Sequence, residues 1–105
     1  MGYLLTGARM TAQEALALGL LNEIVSGAGL QDAIKRWTDQ ILEAAPLSVQ
    51  ATKEVAMRGL DESDLATAIR EQRTYPGYRR WWEAEDTREG PRAFAEKRPP
   101  VWRGR

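Results

Sequence analysis

The sequence predicts an all-α fold of four to five helices with at most one short strand. Apolar side chains recur at helical spacing along most of the 105 residues. Pro and Gly residues divide these stretches into segments of helix length. Apolar residues make up 43% of the chain and charged residues 29%, which describes one globular domain or part of one.

Two residue types are absent from the chain, and their absence restricts its chemistry. There is no Cys and no His, so a thiol nucleophile, a disulfide and the commonest general base and metal ligand are all missing. We therefore expect no zinc site and no Ser-His-Asp triad. No apolar run could span a bilayer and no signal-peptide pattern begins the chain, so we expect a cytoplasmic protein that does not contact membranes.

The first predicted helix follows Thr11, which can act as its N-cap in a capping box with Glu14. Gly19 suits the C-terminal end of this helix. The segment LLNEIV (20–25) is either a brief strand or an extended connector, and the composition of 26–29 predicts a loop.

The second predicted helix has the clearest period in the chain. Its apolar side chains lie three or four residues apart, with charged residues on the opposite side. This pattern favours a face buried in a bundle or in a subunit interface over a ligand groove. The face consists of Leu30, Ile34, Trp37, Ile41 and Ala45.

Three further segments complete the helical pattern. Pro46 ends the second helix and fits the first position of a third, which runs to Gly59. Asp61 is expected to cap a fourth helix, and Pro76-Gly77 predicts a kink or a break after it. The residues of the fourth helix expected to point inward are Leu65, Ala68 and Ile69.

A last short helix is predicted from an N-cap at Asp86 to about Lys97. Phe94 and Lys97 lie three residues apart and would share one face of it. The residue pattern alone favours Phe94 as a core anchor and Lys97 as a solvated charge.

The chain from Gly90 onward carries five basic side chains and one acidic one, although the net charge of the whole protein is zero. We interpret its arginines Arg98, Arg103 and Arg105 as a solvated tail, since chain termini are usually mobile. These charges are too few and too scattered to indicate nucleic-acid binding.

The carboxylates that could be taken for catalytic groups have simpler interpretations. Two of them are expected to be capping groups and the others surface residues, because perturbed catalytic acids belong in pockets that so short a chain can hardly form. We therefore predict no catalytic residue in this chain. The carboxylates considered are Glu14, Glu23, Glu83, Glu85 and Asp86.

Three stretches, in this order, resemble the enoyl-CoA hydratase/isomerase (crotonase) superfamily. They are LLTGARMTAQEALALGLLNEIV (4–25), ILEAAPLSVQATKEVAMRGLD (41–61) and EDTREGPRAFAEKRPPVWRGR (85–105). Together they cover most of the chain. The stretch from Tyr75 to the end is most similar to carnitinyl-CoA dehydratase-like members.

The resemblance implies that residues 1–105 form the C-terminal helical region of a crotonase fold, which covers the active site and builds the trimer interface. The N-terminal ββα spiral, which holds the catalytic groups in that family, is absent, so we expect no hydratase activity from this chain alone. The implied substrate is a coenzyme A thioester, with no prosthetic group. The implied assembly is a homo-oligomer, a trimer or a dimer of trimers.

The resemblance also gives Phe94 and Lys97 a cofactor-binding role. Family residues that match them lie close to the adenosine end of coenzyme A, where an aromatic ring can contact the base and an ammonium can meet the 3′-phosphate. The alternative is a helical interaction or oligomerisation module without catalysis. A small DNA-binding domain is a third possibility, which the acidic balance of the first 89 residues makes poor.

Overall fold

The computed structural model describes all 105 residues and consists of helices joined by turns and loops. The all-α prediction is confirmed, with seven α-helices where the sequence predicts four or five. The segment 20–25 is a connector with no strand. The helices are α1 (Gly2–Thr6), α2 (Ala12–Ala17), α3 (Leu30–Glu43), α4 (Pro46–Gly59), α5 (Leu65–Glu71), α6 (Pro76–Glu83) and α7 (Asp86–Ala95), with 3-10 turns at Gly27–Gly29 and Gln72–Thr74.

The chain forms two compact units, Met1–Trp37 and Thr38–Arg105, and the boundary falls within α3. In the first unit the predicted capping box is confirmed. The Glu14 N–H donates to the Thr11 hydroxyl at 3.2 Å, and the Thr11 N–H donates to Glu14 Oε2 at 2.8 Å. These bonds from Thr11 hold the pKa of Glu14 below its usual value.

Glu23 ties the connector after α2 to the middle of α3. Its carboxylate accepts the indole N–H of Trp37 at 2.8 Å and pairs with the Arg36 guanidinium. The Trp37 bond and then the Arg36 bond lower the pKa of Glu23. Glu23 is therefore a structural carboxylate, half-buried against the helix.

The apolar face of α3 is not buried within this chain. Leu30 and Ile34 are each 49% exposed, and Ile41 is 54% exposed. Within this chain the face is only about half covered, so burial in a bundle is not confirmed, and burial in a subunit interface stays a prediction. The helix itself is confirmed as α3.

Packing in the second unit is dominated by α4 and α6. Leu47 and Ala51 of α4 are buried, as is Tyr75 just before α6. Glu54 of α4 accepts the N–H of Gly77 at 2.5 Å and thereby satisfies an open donor in the first turn of α6. A Cβ at Gly77 would lie closer than 3.0 Å to Glu54 Oε2, so the contact depends on glycine.

The helix after α4 starts later than predicted. Asp64, not Asp61, is the N-cap of α5, and its carboxylate accepts the Thr67 N–H at 2.9 Å. Leu65 is 74% exposed and Ile69 is 56% exposed, so the inward face predicted for this helix is also wrong within this chain, and only Ala68 is half-buried. Pro76 begins α6, which confirms the predicted break.

The C-terminal tail folds back along α7. The Trp102 indole N–H donates to the carbonyl oxygen of Glu43 at 2.9 Å, and its ring lies against Gly90, where an added Cβ would come within 3.4 Å of it. The tail therefore returns from the end of α7 to the end of α3 instead of projecting into solvent.

A candidate ligand site at the end of helix α7

Phe94 lies in the last turn of α7 and is 87% exposed. A ring so exposed is not a core anchor of this chain, so that part of the interpretation from the residue pattern is wrong. Burying a phenylalanine ring stabilises a fold by about 1.5–3 kcal/mol. Because the ring is exposed here, a ligand or another protein surface that covers it would gain a free energy of this size.

Lys97 lies two residues beyond the end of α7, which ends at Ala95 and not at Lys97 as predicted. Its φ is 52°, in the left-handed region. The Lys97 N–H donates to the Phe94 carbonyl oxygen at 3.2 Å, and the Arg98 N–H donates to the Ala93 carbonyl oxygen at 3.1 Å. This pair of bonds is a Schellman motif, which here ends the helix without glycine.

The end of α7 thus brings Phe94 and Lys97 together through the backbone instead of along a shared helix face. Both side chains are exposed. A ring can stack on a planar base, and an ammonium can attract a phosphate. The carbonyl end of a helix repels anions, so Lys97 would have to supply the attraction for a phosphate.

The prediction of a solvated, mobile tail is wrong for Arg98 and for the tail backbone, because side chains of α7 bind both. Glu89 accepts two hydrogen bonds from the Arg98 guanidinium, at 2.5 and 2.9 Å, and the Val101 N–H at 2.9 Å. The Arg98 bonds, followed by the Val101 bond, lower the pKa of Glu89 to about 2. The same contacts raise the pKa of Arg98.

Asp86 holds the end of the tail. It is 3% exposed, and its carboxylate accepts the N–H groups of Arg103 at 2.9 Å and Gly104 at 2.8 Å. The prediction of Asp86 as an N-cap is wrong: it is the first residue of α7, and Glu85 precedes it as a cap without a side-chain bond. Its carboxylate binds the tail instead of its own helix.

A groove of about 610 Å³ lies between α7 and the tail, and charged side chains of both signs line it. Glu85 pairs there with Arg103 at 3.4 Å and with Arg105 at 3.8 Å, and all three side chains are more than half exposed. Two of the three tail arginines are thus weakly paired at the surface, whereas Arg98 is firmly held. The groove is lined by Glu85, Asp86, Arg88, Glu89, Arg92, Glu96, Arg98, Val101 and Arg103.

Four of the five carboxylates considered above have hydrogen-bond or ion-pair partners within this chain, the fourth being Glu85. Glu14, Glu23 and Asp86 have the partners described above. No group of three or more carboxylates is placed to hold a metal ion. None of the helices is both long enough and apolar enough to cross a bilayer.

Sequence reasoning did not identify Glu89, or the structural role of Arg98, next to the site. They are nine positions apart, a separation that matches no helical contact. The available signal was the change from helix to extended chain at Pro99-Pro100, which can bring a tail back along its own helix. Nothing in the local spacing indicates which acid the arginine meets.

The chain as a whole is similar to known proteins. The sequence profile described as enoyl-CoA hydratase/isomerase matches residues 1–105. The carnitinyl-CoA dehydratase of Proteus mirabilis is 44% identical over 104 residues, which are 97% of this chain and 40% of that protein. The carnitinyl-CoA dehydratase of Citrobacter koseri is 41% identical over 107 residues, with the same coverage. The chain spans about 40% of the length of these curated relatives.

Solved structures give the same result. An enoyl-CoA hydratase/isomerase from Mycobacterium paratuberculosis superposes with a TM-score of 0.85 at 38% identity, over 95% of this chain and 38% of that one. An enoyl-CoA hydratase from Mycobacterium tuberculosis superposes with a TM-score of 0.83 at 32% identity, over 96% of this chain and 39% of that one.

Proposed function

Because this chain belongs to the enoyl-CoA hydratase/isomerase family, we propose that the whole protein acts on an acyl-CoA thioester in the cytoplasm, adding water across a double bond or shifting it. The observation that carries the proposal is the match of the family profile to residues 1–105. An oxyanion hole would stabilise the enolate that forms, and a carboxylate would move the proton. We place both in the part of the protein that precedes this chain.

Within that reaction, the role proposed for this chain is to hold the adenosine end of coenzyme A. Phe94 would stack on the adenine, and Lys97 would meet the 3′-phosphate. Two features support this role: the 87% exposure of Phe94 and the left-handed conformation at Lys97. A bulky residue in that conformation is strained, and such strain is found preferentially at functional sites.

The test is steady-state kinetics on the whole protein, with carnitinyl-CoA and crotonyl-CoA as substrates. Phe94→Ala and Lys97→Ala should each raise KM about tenfold, with little change in kcat, because the residues bind a remote end of the substrate. The matched control is Lys53→Ala, which removes an exposed ammonium from α4. Unchanged KM values in both site variants would show that this region serves packing and assembly only.

A separate measurement tests where the chemistry is performed. The purified 105-residue chain should turn over neither substrate, because the oxyanion hole and the carboxylate that moves the proton are proposed to lie outside it. Turnover by this chain alone would contradict the proposal that the catalytic groups lie outside it.

We further propose that the exposed apolar residues contact other subunits in a homo-oligomer, a trimer or a dimer of trimers. Trp82 is 62% exposed and Trp37 is 43% exposed, and exposed apolar surface of this kind is typical of protein interaction sites when it forms a large patch. Light scattering on the whole protein should give the mass of three or six subunits, and Trp82→Asp should lower it. A monomer that retains activity would contradict this assembly.

The second candidate function is a helical interaction module without catalysis. The half-exposed face of α3 favours it, because an association surface would look the same. Coenzyme A binding separates the two functions, since the module has no reason to bind the cofactor. A whole protein that associates but binds no coenzyme A would support the module.

A further inference from the structure

The residue after Lys97 is held by two carboxylates. The Arg98 guanidinium donates to both oxygens of Glu89, at 2.5 and 2.9 Å, and to Glu96 Oε2 at 2.6 Å. The side chains of Arg98 and Glu89 are only 33% and 18% exposed. This bidentate pair is therefore more than a solvated surface contact, and it fixes the direction of the chain immediately after Lys97.

The conformation of Lys97 requires such support. Its φ of 52° lies where the Cβ of an L-residue approaches the following carbonyl group. A residue remains in this region only when its surroundings determine its conformation. On the helix side of Lys97, the two Schellman bonds are accepted by the carbonyl oxygens of Phe94 and Ala93. On its C-terminal side, the Glu89–Arg98 pair restrains the chain.

Glu89 extends the restraint beyond Arg98. It also accepts the Val101 N–H at 2.9 Å, and Arg98 Nη1 donates to the Pro99 carbonyl oxygen at 3.2 Å. The backbone thus has fixed points on both sides of Lys97. Lys97 itself lies in the turn between them, with its side chain exposed.

We propose that Glu89 and Arg98 are positioning residues, which hold the turn that presents the Lys97 ammonium and the Phe94 ring to coenzyme A. This inference rests on the function proposed for Phe94 and Lys97. Neither positioning residue has to touch the ligand. Their effect is to limit the orientations that the ammonium can adopt before the phosphate arrives, which lowers the entropic penalty of binding.

The opposite role for Arg98 predicts an opposite result. If Arg98 were itself the phosphate ligand, Glu89 would compete with the phosphate for its guanidinium. Neutralising Glu89 would then release Arg98 and strengthen binding. If Arg98 positions Lys97, neutralising Glu89 loosens the turn and weakens binding, so the direction of the change separates the two roles.

The experiment measures the dissociation constants of coenzyme A and of 3′-dephospho-coenzyme A by calorimetry on the whole protein. The ratio of the two constants reports the phosphate contact alone, which a general loss of stability would not change selectively. The wild-type protein should prefer coenzyme A about tenfold. Glu89→Gln and Arg98→Lys should each reduce this preference to about twofold, because each loses the bidentate geometry.

The matched control is Glu85→Gln, because Glu85 lines the same groove, contacts the tail and is 61% exposed. It should keep the tenfold preference. Two results would overturn the inference while leaving the proposed function intact: a preference that is unchanged in both positioning variants, or one that increases in Glu89→Gln. A wild-type protein without preference would overturn the proposed phosphate contact of Lys97 and this inference with it.

Arg98→Lys keeps the positive charge, so it remains informative if Glu89→Gln fails to fold. A circular dichroism melt of each variant, recorded before calorimetry, identifies the folded ones. A folded Arg98→Lys variant with the full tenfold preference would refute the positioning role without data from Glu89→Gln.

Discussion

The buried carboxylate of Asp86 accepts the backbone N–H of Gly104 at 2.8 Å, and in this way the first turn of α7 holds the end of the chain. The two residues are 18 positions apart. Gly104 has a φ of 70°, which glycine adopts without strain. The end of the tail is therefore a fixed part of the second unit.

Asp86→Ala should destabilise the protein by about 2–3 kcal/mol, because it removes a charged acceptor that is shared by two backbone donors. The N–H groups of Arg103 and Gly104 should lose their protection from hydrogen exchange. Urea unfolding gives the stability change, and exchange NMR shows whether the loss begins in the tail. Glu85→Ala is the control, since its exposed ion pairs at 3.4 and 3.8 Å contribute little.

The same carboxylate shows why part of the site could not be predicted from the sequence. Asp86 has the position and chemistry of an N-cap, and local pattern favours that role. A tertiary contact with Arg103 and Gly104 takes the carboxylate instead. Thr11 was predicted correctly because its partner, Glu14, is three residues away and belongs to the same local motif.

Gly77→Ala should destabilise the protein by about 1 kcal/mol. The new methyl group would displace the Glu54 carboxylate and break its bond to the residue 77 N–H. In a Glu54→Ala background the substitution should become neutral or stabilising, because alanine favours a helix more than glycine does. A double-mutant cycle on urea midpoints measures this reversal. Additive effects of the two substitutions would show that the carboxylate and residue 77 do not interact.

The stability contributed by Glu89 should depend on pH in a defined direction. Its folded-state pKa of about 2 lies below the usual value of 4.5, so the contribution is complete above pH 4.5 and disappears as pH falls toward 2. Glu89→Gln should therefore unfold more readily than wild type at pH 7. The difference between the two proteins should shrink steadily in urea titrations at pH 4 and 2.5. An equal difference at all three values would show that the carboxylate charge is not what stabilises the tail.

Burial was less predictable than helix formation for a different physical reason. The spacing of Leu30, Ile34 and Ile41 identifies a helix, because it depends only on the helical repeat. How far that face is covered depends on which other surfaces pack against it, and within this chain about half of it stays exposed. For Leu65 and Ile69, likewise, the helix was predicted correctly and the inward orientation was not.

The first residue of a helix was hardest to predict where several residues could serve as the N-cap. Asp61 and Asp64 both precede α5, and both have the side chain that an N-cap needs. The structure selects Asp64, whose backbone is extended and whose carboxylate reaches the Thr67 N–H. At Pro46 and Pro76 only one helix start was possible, since proline fits the first turn of a helix and not its interior.

Lys97→Gly should raise stability and lower coenzyme A affinity in the same protein. Glycine adopts a φ of 52° without the strain that a lysine Cβ brings, so the free energy of unfolding should increase by about 1 kcal/mol. Removal of the ammonium should at the same time reduce the preference for coenzyme A over its 3′-dephospho form. Urea unfolding and calorimetry on one preparation measure both effects.

Lys97→Ala is the control that separates strain from charge. Alanine keeps the Cβ and loses the ammonium, so it should reduce the phosphate preference as much as glycine does without the gain in stability. If alanine and glycine stabilise the protein equally, the left-handed conformation at residue 97 carries no strain. If glycine stabilises and the phosphate preference survives, Lys97 occupies a strained position for a reason other than coenzyme A.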